Sequence, residues 1–315
     1  MFTTNTEFLK AEMADVLRLF GDVPDVAHTF VYAENNFMNA VIVGGREYDF
    51  CERQECAGEI EFKRYARRFA KLALYEALRA ETGRSMPWGA LTGIRPTKLA
   101  YTERAAGRDW QTLFRKMDVS EENIRLTGDI LRAQEGIYER RDGNCDLFVS
   151  VPFCPSKCVY CSFITADIRY TRKYLDEYME KLCFEIAASA PLVGNLRSVY
   201  IGGGTPLVLG TEHLKMLLGA LAPLRANDCE YTVEAGRPDV FTEEKLELLK
   251  AYGVTRICVN PQSLSDATLE RIGRKHTAKD VYRAYEMAAK YGFDINMDLI
   301  AGLTGESFEE FAESL

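Results

Sequence analysis

The chain reads as an α/β protein: a partial (β/α) barrel with parallel strands over residues 144–315, preceded by a small α+β N-terminal domain over residues 1–143. Three observations predict this. From Leu147 onward, short apolar runs alternate with helical patterns five times, as βα units feeding a parallel sheet do. Glycines and polar residues recur just after those runs, at the end of a parallel sheet where sites are built. The first 143 residues lack this alternation and read instead as a helix, a strand meander and further helices.

Composition bounds the rest. Of 315 residues, 47% are hydrophobic and 27% charged, which suits a globular chain with a large core and two domains. No run approaches the roughly 20 apolar residues of a membrane span, and no basic segment followed by an apolar run opens the chain. The net charge of −8 argues against general nucleic-acid affinity. Nine cysteines without an export signal point to reduced thiols and a cytoplasmic protein.

In chain order, Phe8, Met13, Val16, Leu17 and Phe20 predict an amphipathic helix over Glu7 to Phe20. Strands follow at His28 to Tyr32 and Met38 to Val43, and Gly44-Gly45 turns the chain into Glu47 to Cys51. Glu59 to Thr82 carries Phe62, Tyr65, Phe69, Leu72, Tyr75 and Leu78 at helical spacing, and Gly83 stops it. Its basic cluster, Lys63, Arg64, Arg67 and Arg68, reads as a solvated face, with an anionic ligand or partner as the alternative. PWGALTGIRPTKLA, Pro87 to Ala100, is an irregular connection with a helix starting near Pro96. Helices are expected at Gln111–Met117 and Ser120–Glu139, with Ser120 as N-cap, and a domain boundary at Arg140–Asn144. No part of this half has the density of polar groups expected of an active site.

In the second half, strands are expected at Leu147–Val151, Ser198–Ile201, Glu230–Glu234, Arg256–Asn260 and Asp294–Ile300. Helices are expected at Thr171–Ala188, Thr211–Leu224, Thr242–Tyr252, Asp266–Ile272 and Ala278–Tyr291. The doubly wound alternative lacks its G-x-G-x-x-G fingerprint. A further helix begins near Gly305-Glu306, and a barrel would need at least one more strand, so the chain is expected to be part of a longer protein.

The chemistry concentrates in LFVSVPFCPSKCVYCSF, Leu147 to Phe163. A strand stops at Pro152, and Cys154, Cys158 and Cys161 follow it at C-x3-C-x2-C spacing. Zinc is one reading, with Cys145 as a distant fourth ligand and none of His28, His213 and His276 near in sequence. An iron–sulfur cluster is the other, and three cysteines would leave one iron open to a substrate or cofactor. Cys183, Cys229 and Cys258 read as small buried hydrophobes, and Cys51 with Cys56 is a weak C-x4-C pair. Gly202-Gly203-Gly204-Thr205-Pro206 follows the second strand, where amide N–H groups lie free to bind a ligand. Glu234 ends the third strand, Gln262 follows the fourth and Asp298 lies in the fifth. Each alone could be a turn or cap; their recurrence at one end of the sheet points to a site.

C-x3-C-x2-C after a strand, with Tyr160 just before the last cysteine, resembles the radical S-adenosylmethionine (SAM) superfamily. VPFCPSKCVYC, YIGGGTP, VEAGRPD, NPQS, IGRKH and DLIAGL together resemble its oxygen-independent coproporphyrinogen III oxidase group. LTGIRPTKL and VEAGRPD resemble the HemZ-type branch, the coproporphyrinogen dehydrogenases of anaerobes. The likeness runs from Leu147 to the end, and before residue 144 it rests on LTGIRPTKL. It implies that Cys154, Cys158 and Cys161 ligate three irons of a [4Fe–4S] cluster, and that S-adenosylmethionine binds the fourth. Gly203, Gly204 and Thr205 would hold the methionine part, and Glu234, Gln262, Arg274 and Asp298 match further cofactor-binding positions. Tyr160 would pack near the cofactor, and Phe148 takes a cofactor-site position where family members commonly carry tyrosine.

The implied reaction is oxidative decarboxylation of coproporphyrinogen III to protoporphyrinogen IX by a 5′-deoxyadenosyl radical, in haem biosynthesis. Its partners would be a porphyrinogen substrate and a one-electron donor such as flavodoxin or ferredoxin, with no nucleic acid and no membrane span. No side chain is singled out as the acid or base of that reaction. Phe163 stands where a further cysteine is common, and the family's substrate-covering C-terminal domain is not in this sequence, so this chain alone is expected to be inactive. The alternatives are a haem chaperone, whose pattern IGRKH approaches, and a haem-degrading radical methyltransferase. His276 then reads either as a haem or substrate contact or as an ordinary capped surface histidine.

Overall fold

The computed structural model describes residues 1–91, 94–137, 143–225 and 229–315, and the chain divides into two units, Met1–Glu139 and Arg140–Leu315. Thr92 and Gly93 of LTGIRPTKL, the last two residues of the helix expected to end at Glu139, and most of the expected boundary at Arg140–Asn144 lie outside the described residues.

In the first unit, β1 (Phe2–Thr4), α1 (Glu7–Phe20), β2 (Val26–Ala33), β3 (Asn36–Val43) and β4 (Arg46–Arg53) come first. The strands form one sheet in the order β1-β2-β3-β4, with β2, β3 and β4 antiparallel and β1 parallel to β2. Glu34 and Asn35, at φ 52° and 64°, make the two-residue hairpin turn between β2 and β3. β1 has only three residues and leaves no periodic signal to read. Helix α1 buries Leu9, Met13, Val16 and Phe20 at three- and four-residue intervals. α2 (Glu59–Thr82) ends at Gly83, whose left-handed φ of 67° lets its N–H reach the Arg79 carbonyl. Phe37 packs on Phe62 and Tyr65 with ring centroids 5.3 and 4.7 Å apart, joining the sheet to α2. α3 (Pro96–Ala105), α4 (Trp110–Lys116) and α5 (Glu121–Ala133) complete the unit, and the Ser120 hydroxyl accepts from Asn123 N–H as the expected N-cap.

The second unit begins with β5 (Asn144–Val151), followed by the two-residue strands β6 (Phe153–Cys154) and β7 (Ala166–Asp167), paired with each other. Then come α6 (Ile168–Thr171), α7 (Leu175–Ser189), β8 (Asn195–Gly203), α8 (Thr211–Leu221), β9 (Glu230–Gly236) and α9 (Glu243–Ala251). β10 (Arg256–Val259), α10 (Asp266–Arg271), α11 (Ala278–Ala289), β11 (Asp294–Asn296) and α12 (Phe308–Ser314) finish it. The five main strands are all parallel, in the order β5-β8-β9-β10-β11. That order never reverses, as it must in a doubly wound sheet, so the sheet is the wall of a partial barrel. One parity of the strands, including Val149, Val151, Val199, Ile201, Val233 and Ile257, is buried in one cluster with Leu214, Leu217, Leu218, Leu246 and Leu249. Pleating gives the other parity to the opposite face, where Ser150, Gly202, Glu234, Cys258 and Asn296 lie at or within two residues of the strand ends.

Four expectations need correction. The helix read from Ser120 to Glu139 ends at Ala133, and residues 134–137 form a turn. The helix read from Thr171 starts at Leu175, because Thr171 (φ −112°, ψ 1°) breaks the helical path after α6. The strand read to Ile300 ends at Asn296, leaving only an isolated bridge between Gln262 and Leu299. Cys183 is only half-buried, whereas Cys229 and Cys258 are buried. All nine cysteines are free thiols, and among the described residues no helix is long and apolar enough to cross a membrane.

Tyr75 is fully buried, and its hydroxyl bonds both Asp118 Oδ2, at 2.8 Å, and the Met86 N–H, at 2.9 Å. Tyr75→Phe leaves that N–H without its partner, which should cost about 1–3 kcal/mol. A urea midpoint equal to wild type would show that the pair carries no stability.

Candidate metal and cofactor site

The cysteine loop is pinned at both ends. Where β5 stops, the Gly204 N–H donates to the Val151 carbonyl at 2.8 Å and the Thr205 N–H to the Phe153 carbonyl at 2.7 Å. The Ala166 N–H donates to the Pro152 carbonyl at 2.7 Å, so the loop returns beside its own start. Val159 N–H bonds the Ile272 carbonyl at 3.0 Å, tying the loop to the end of α10. The Cys161 N–H donates to the Cys158 carbonyl at 3.1 Å in a turn between those two thiols.

The triple glycine is a steric necessity. A Cβ on Gly204 would lie 2.5 Å from the Phe153 carbonyl oxygen and 2.9 Å from Cys154 Sγ. Gly203, at φ 114°, adopts a conformation that residues with a Cβ rarely reach. Thr205 donates its hydroxyl to Cys154 Sγ at 3.5 Å. Burial pushes the Cys154 thiol pKa up, the Thr205 bond lowers it, and the charges of Cys158 and Cys161 raise it further.

One pocket gathers Cys154, Cys158, Cys161, Tyr160, Gly203, Gly204, Thr205, Glu234, Gln262 and Arg274. Two of the residues picked from sequence do not line it. Phe148 is exposed and stacks on Tyr200 at 5.9 Å. Asp298 bonds Asn296 Nδ2 at 3.2 Å, and its charge acts on Glu234. Burial is the main cause raising the Glu234 carboxyl, with Asp298 adding to it. Hydrogen bonds from Gly203, Tyr200 and Asn260 partly oppose the rise. Burial likewise pushes Tyr160 up to about 12, against the nearby Arg274 guanidinium.

The pocket also holds residues that sequence reasoning left unassigned: Ser156, Lys157, Thr165, Gly236, Arg237 and Asn260. Arg237 and Asn260 lie inside the quoted motifs VEAGRPD and NPQS, which was the available signal. Arg237 is 2% exposed, grips Asp239 with two bonds of 2.9 and 2.8 Å, and donates to Ser156 Oγ at 2.6 Å. It thus anchors the loop between the first two cysteines from β9. Gln262 sits at φ 69°, strained for a residue with a side chain. That strain is held by its N–H donating to the Asp298 carbonyl at 2.9 Å and its carbonyl accepting from Ile300 N–H at 3.0 Å.

Three lining residues carry buried polar atoms without a partner: Asn260 Oδ1, Gln262 Oε1 and Arg274 Nε. Two acceptors and a donor left unpaired on residues that line one pocket beside three thiols suit a polar ligand bound next to a thiolate-held metal group. Among the described residues no three of His, Cys, Asp and Glu are placed to hold a single metal ion. The zinc reading lacks that ligand set, whereas a cluster takes one thiolate on each of three separate irons.

The Radical SAM superfamily model matches residues 148–315, more than half of the chain. The chain belongs to the radical SAM superfamily. Its cofactors are those of that superfamily, a [4Fe–4S] cluster and S-adenosylmethionine, and the thiols and orphaned polar atoms above fit them. Among curated proteins the chain is 36% identical over 254 residues to the oxygen-independent coproporphyrinogen-III oxidase-like protein HemZ of Bacillus subtilis (strain 168), covering 76% of this chain and 50% of HemZ. It is 36% identical over 174 residues to the heme chaperone HemW of the same organism, covering 53% of this chain and 45% of HemW. Among solved structures, the radical SAM enzyme coproporphyrinogen III oxidase (HemN) of Escherichia coli matches with a TM-score of 0.50 at 28% identity, over 54% of this chain and 40% of HemN. The chain spans about half the length of the curated relatives it matches.

His276 is not an ordinary capped surface histidine. Its side chain is fully buried, neither ring nitrogen has a hydrogen-bond partner, and Asp239 Oδ1 lies 3.9 Å away. Burial, helped by the Arg274 and Arg237 charges and opposed by Asp239, holds its pKa down to about 4. Below pH 6.5 the unfolded histidine takes up a proton that the folded one refuses, so stability falls with pH until about pH 4. The loss should reach about 2 kcal/mol by pH 5. His276→Gln should remove that part of the pH dependence of the urea midpoint; identical slopes in both proteins would refute it. In the same site, Gly204→Ala should lower the iron and sulfide bound after anaerobic reconstitution. Gly210→Ala, where an added Cβ meets nothing within 4 Å, should leave them unchanged.

Proposed function

We propose that this chain carries the cofactor-binding domain of an oxygen-independent coproporphyrinogen III oxidase of the HemZ type. The observation that carries the proposal is the meeting, in one pocket, of three thiols with the orphaned polar atoms of Asn260, Gln262 and Arg274. Cys154, Cys158 and Cys161 would hold three irons, leaving the fourth for S-adenosylmethionine. The Gly203–Thr205 backbone, Glu234, Gln262 and Arg274 would bind and orient that molecule, with Tyr160 packed beside it and Asp298, outside the pocket lining, acting through Glu234 and the Gln262 backbone. Arg237 and Ser156 would keep the cysteine loop in place. When bound, the cluster and S-adenosylmethionine supply a 5′-deoxyadenosyl radical, given one electron from a donor such as flavodoxin or ferredoxin. At each of two propionates the substrate would lose a hydrogen atom to that radical, then CO2, and pass one electron to a one-electron acceptor, leaving a vinyl group.

The choice of substrate is supported by the extent of the likeness to HemZ. Its 254 matched residues exceed the length of the second unit, so they reach into the first, whereas the match to HemW covers 174. That HemW is named a heme chaperone favours a second reading, a haem-binding protein without turnover. The buried His276 side chain does not favour a haem ligand at that position.

The test is anaerobic incubation of the protein, with the substrate-covering domain present, with reductant, S-adenosylmethionine and coproporphyrinogen III. CO2 and 5′-deoxyadenosine should form, and Cys158→Ala should abolish both along with most of the bound iron. Stoichiometric haem binding with no product would decide for the chaperone reading.

A further inference from the structure

Contrary to the expectation that the first unit lacks concentrated polar groups, it holds a cavity of about 660 Å3 walled by α2, α3 and the connection leading into α3. That volume is within the range of small-molecule sites. Five cations line it: Arg64 and Arg68 from α2, Arg95 and Lys98 from the LTGIRPTKL stretch, and Arg108 after α3. Two carboxylates, Glu61 and Glu103, face them, which leaves an excess of three positive charges in a chain whose net charge is −8.

The carboxylates are already engaged. Glu103, 8% exposed, takes a two-point bond from Arg108, at 2.6 and 3.1 Å, and lies 3.9 Å from Arg68. Glu61 accepts from the Ala57 N–H at 2.8 Å, just before the start of α2. Among the described residues no carboxylate lies within ion-pair distance of Arg64, Arg95 or Lys98. Ile94, Leu99 and the Tyr65 ring add apolar wall between these cations.

We propose that this cavity binds a small organic polyanion: two or more carboxylate or phosphate groups on a partly apolar frame. Arg64, Arg95 and Lys98 are the charges open to its anionic groups, Glu103 orients Arg108 and Arg68 behind them, and Ile94 and Leu99 take the frame. Forked guanidinium groups suit either anion. The basic residues of α2 therefore divide: Lys63 and Arg67 pair with Glu59 and Glu12 on the surface, and Arg64 and Arg68 face the cavity.

Calorimetric titration of the full chain at 0.15 M salt with trimellitate (an aromatic tricarboxylate) and with pyrophosphate tests this and separates the two anion sources. At least one should bind with 1:1 stoichiometry. The pair Arg95→Glu, Lys98→Glu should weaken that binding about tenfold or more, and Arg64→Met on the opposite wall should weaken it independently, in case the pair disturbs α3. The charge-matched pair Lys279→Glu, Lys290→Glu, exposed on and just after α11, should leave it unchanged. No binding of either anion, or equal weakening by both charge-reversed pairs, would overturn the proposal. The readout does not depend on the cluster, so it stands apart from the proposed reaction.

Discussion

The second unit turns on a close contact of backbones. The end of β8 passes so near the start of the cysteine loop that Gly204 has no room for a Cβ beside Cys154 Sγ and the Phe153 carbonyl. That approach requires glycine and lets the Gly204 and Thr205 N–H groups clasp the strand-end that carries the first thiol; contrary to the expectation from sequence, these amides are already engaged, with that of Gly203 bonded to Glu234. The Arg237–Ser156 bond and the Val159–Ile272 bond hold the loop from the β9 and α10 sides. A loop with three thiols is thus positioned by three neighbouring βα units rather than by its own sequence.

Around that contact the pocket tolerates features that a stable core avoids. Asn260, Gln262 and Arg274 each keep a buried polar atom unpaired, and one such atom costs about 1–3 kcal/mol. Gln262 adds a positive φ, and burial raises the Glu234 carboxyl. These costs coincide in space with the thiols, where bound cofactors would satisfy the atoms left open. His276 lies deeper, next to Asp239, and stays neutral because burial and two arginines disfavour its charged form.

The first unit shows the opposite electrostatic arrangement. Among the described residues, three of its cavity's lining cations have no carboxylate within ion-pair distance, while the buried Glu103 already serves Arg108 and Arg68. Cofactor pocket and basic cavity belong to separate units, and each is built from its own helices and strands.

Period and punctuation in the sequence alone determined that βα units repeat after Leu147, that α1 and α2 end at Phe20 and Thr82, and that Ser120 caps a helix. These follow from local rules: apolar spacing, N-cap hydroxyls and left-handed glycines. The three cysteines and the polar residues at strand ends were legible for the same reason, since a parallel sheet collects its loops at one end. The roles of Arg237 and Asn260, the burial of His276 and the joining of Arg64 with Lys98 were not. Each depends on residues tens of positions apart meeting across helices or strands, and no local pattern encodes that distance. The same holds for Gly204: its spacing after a strand is written in the sequence, but the thiol that forbids it a side chain is brought there only by the fold.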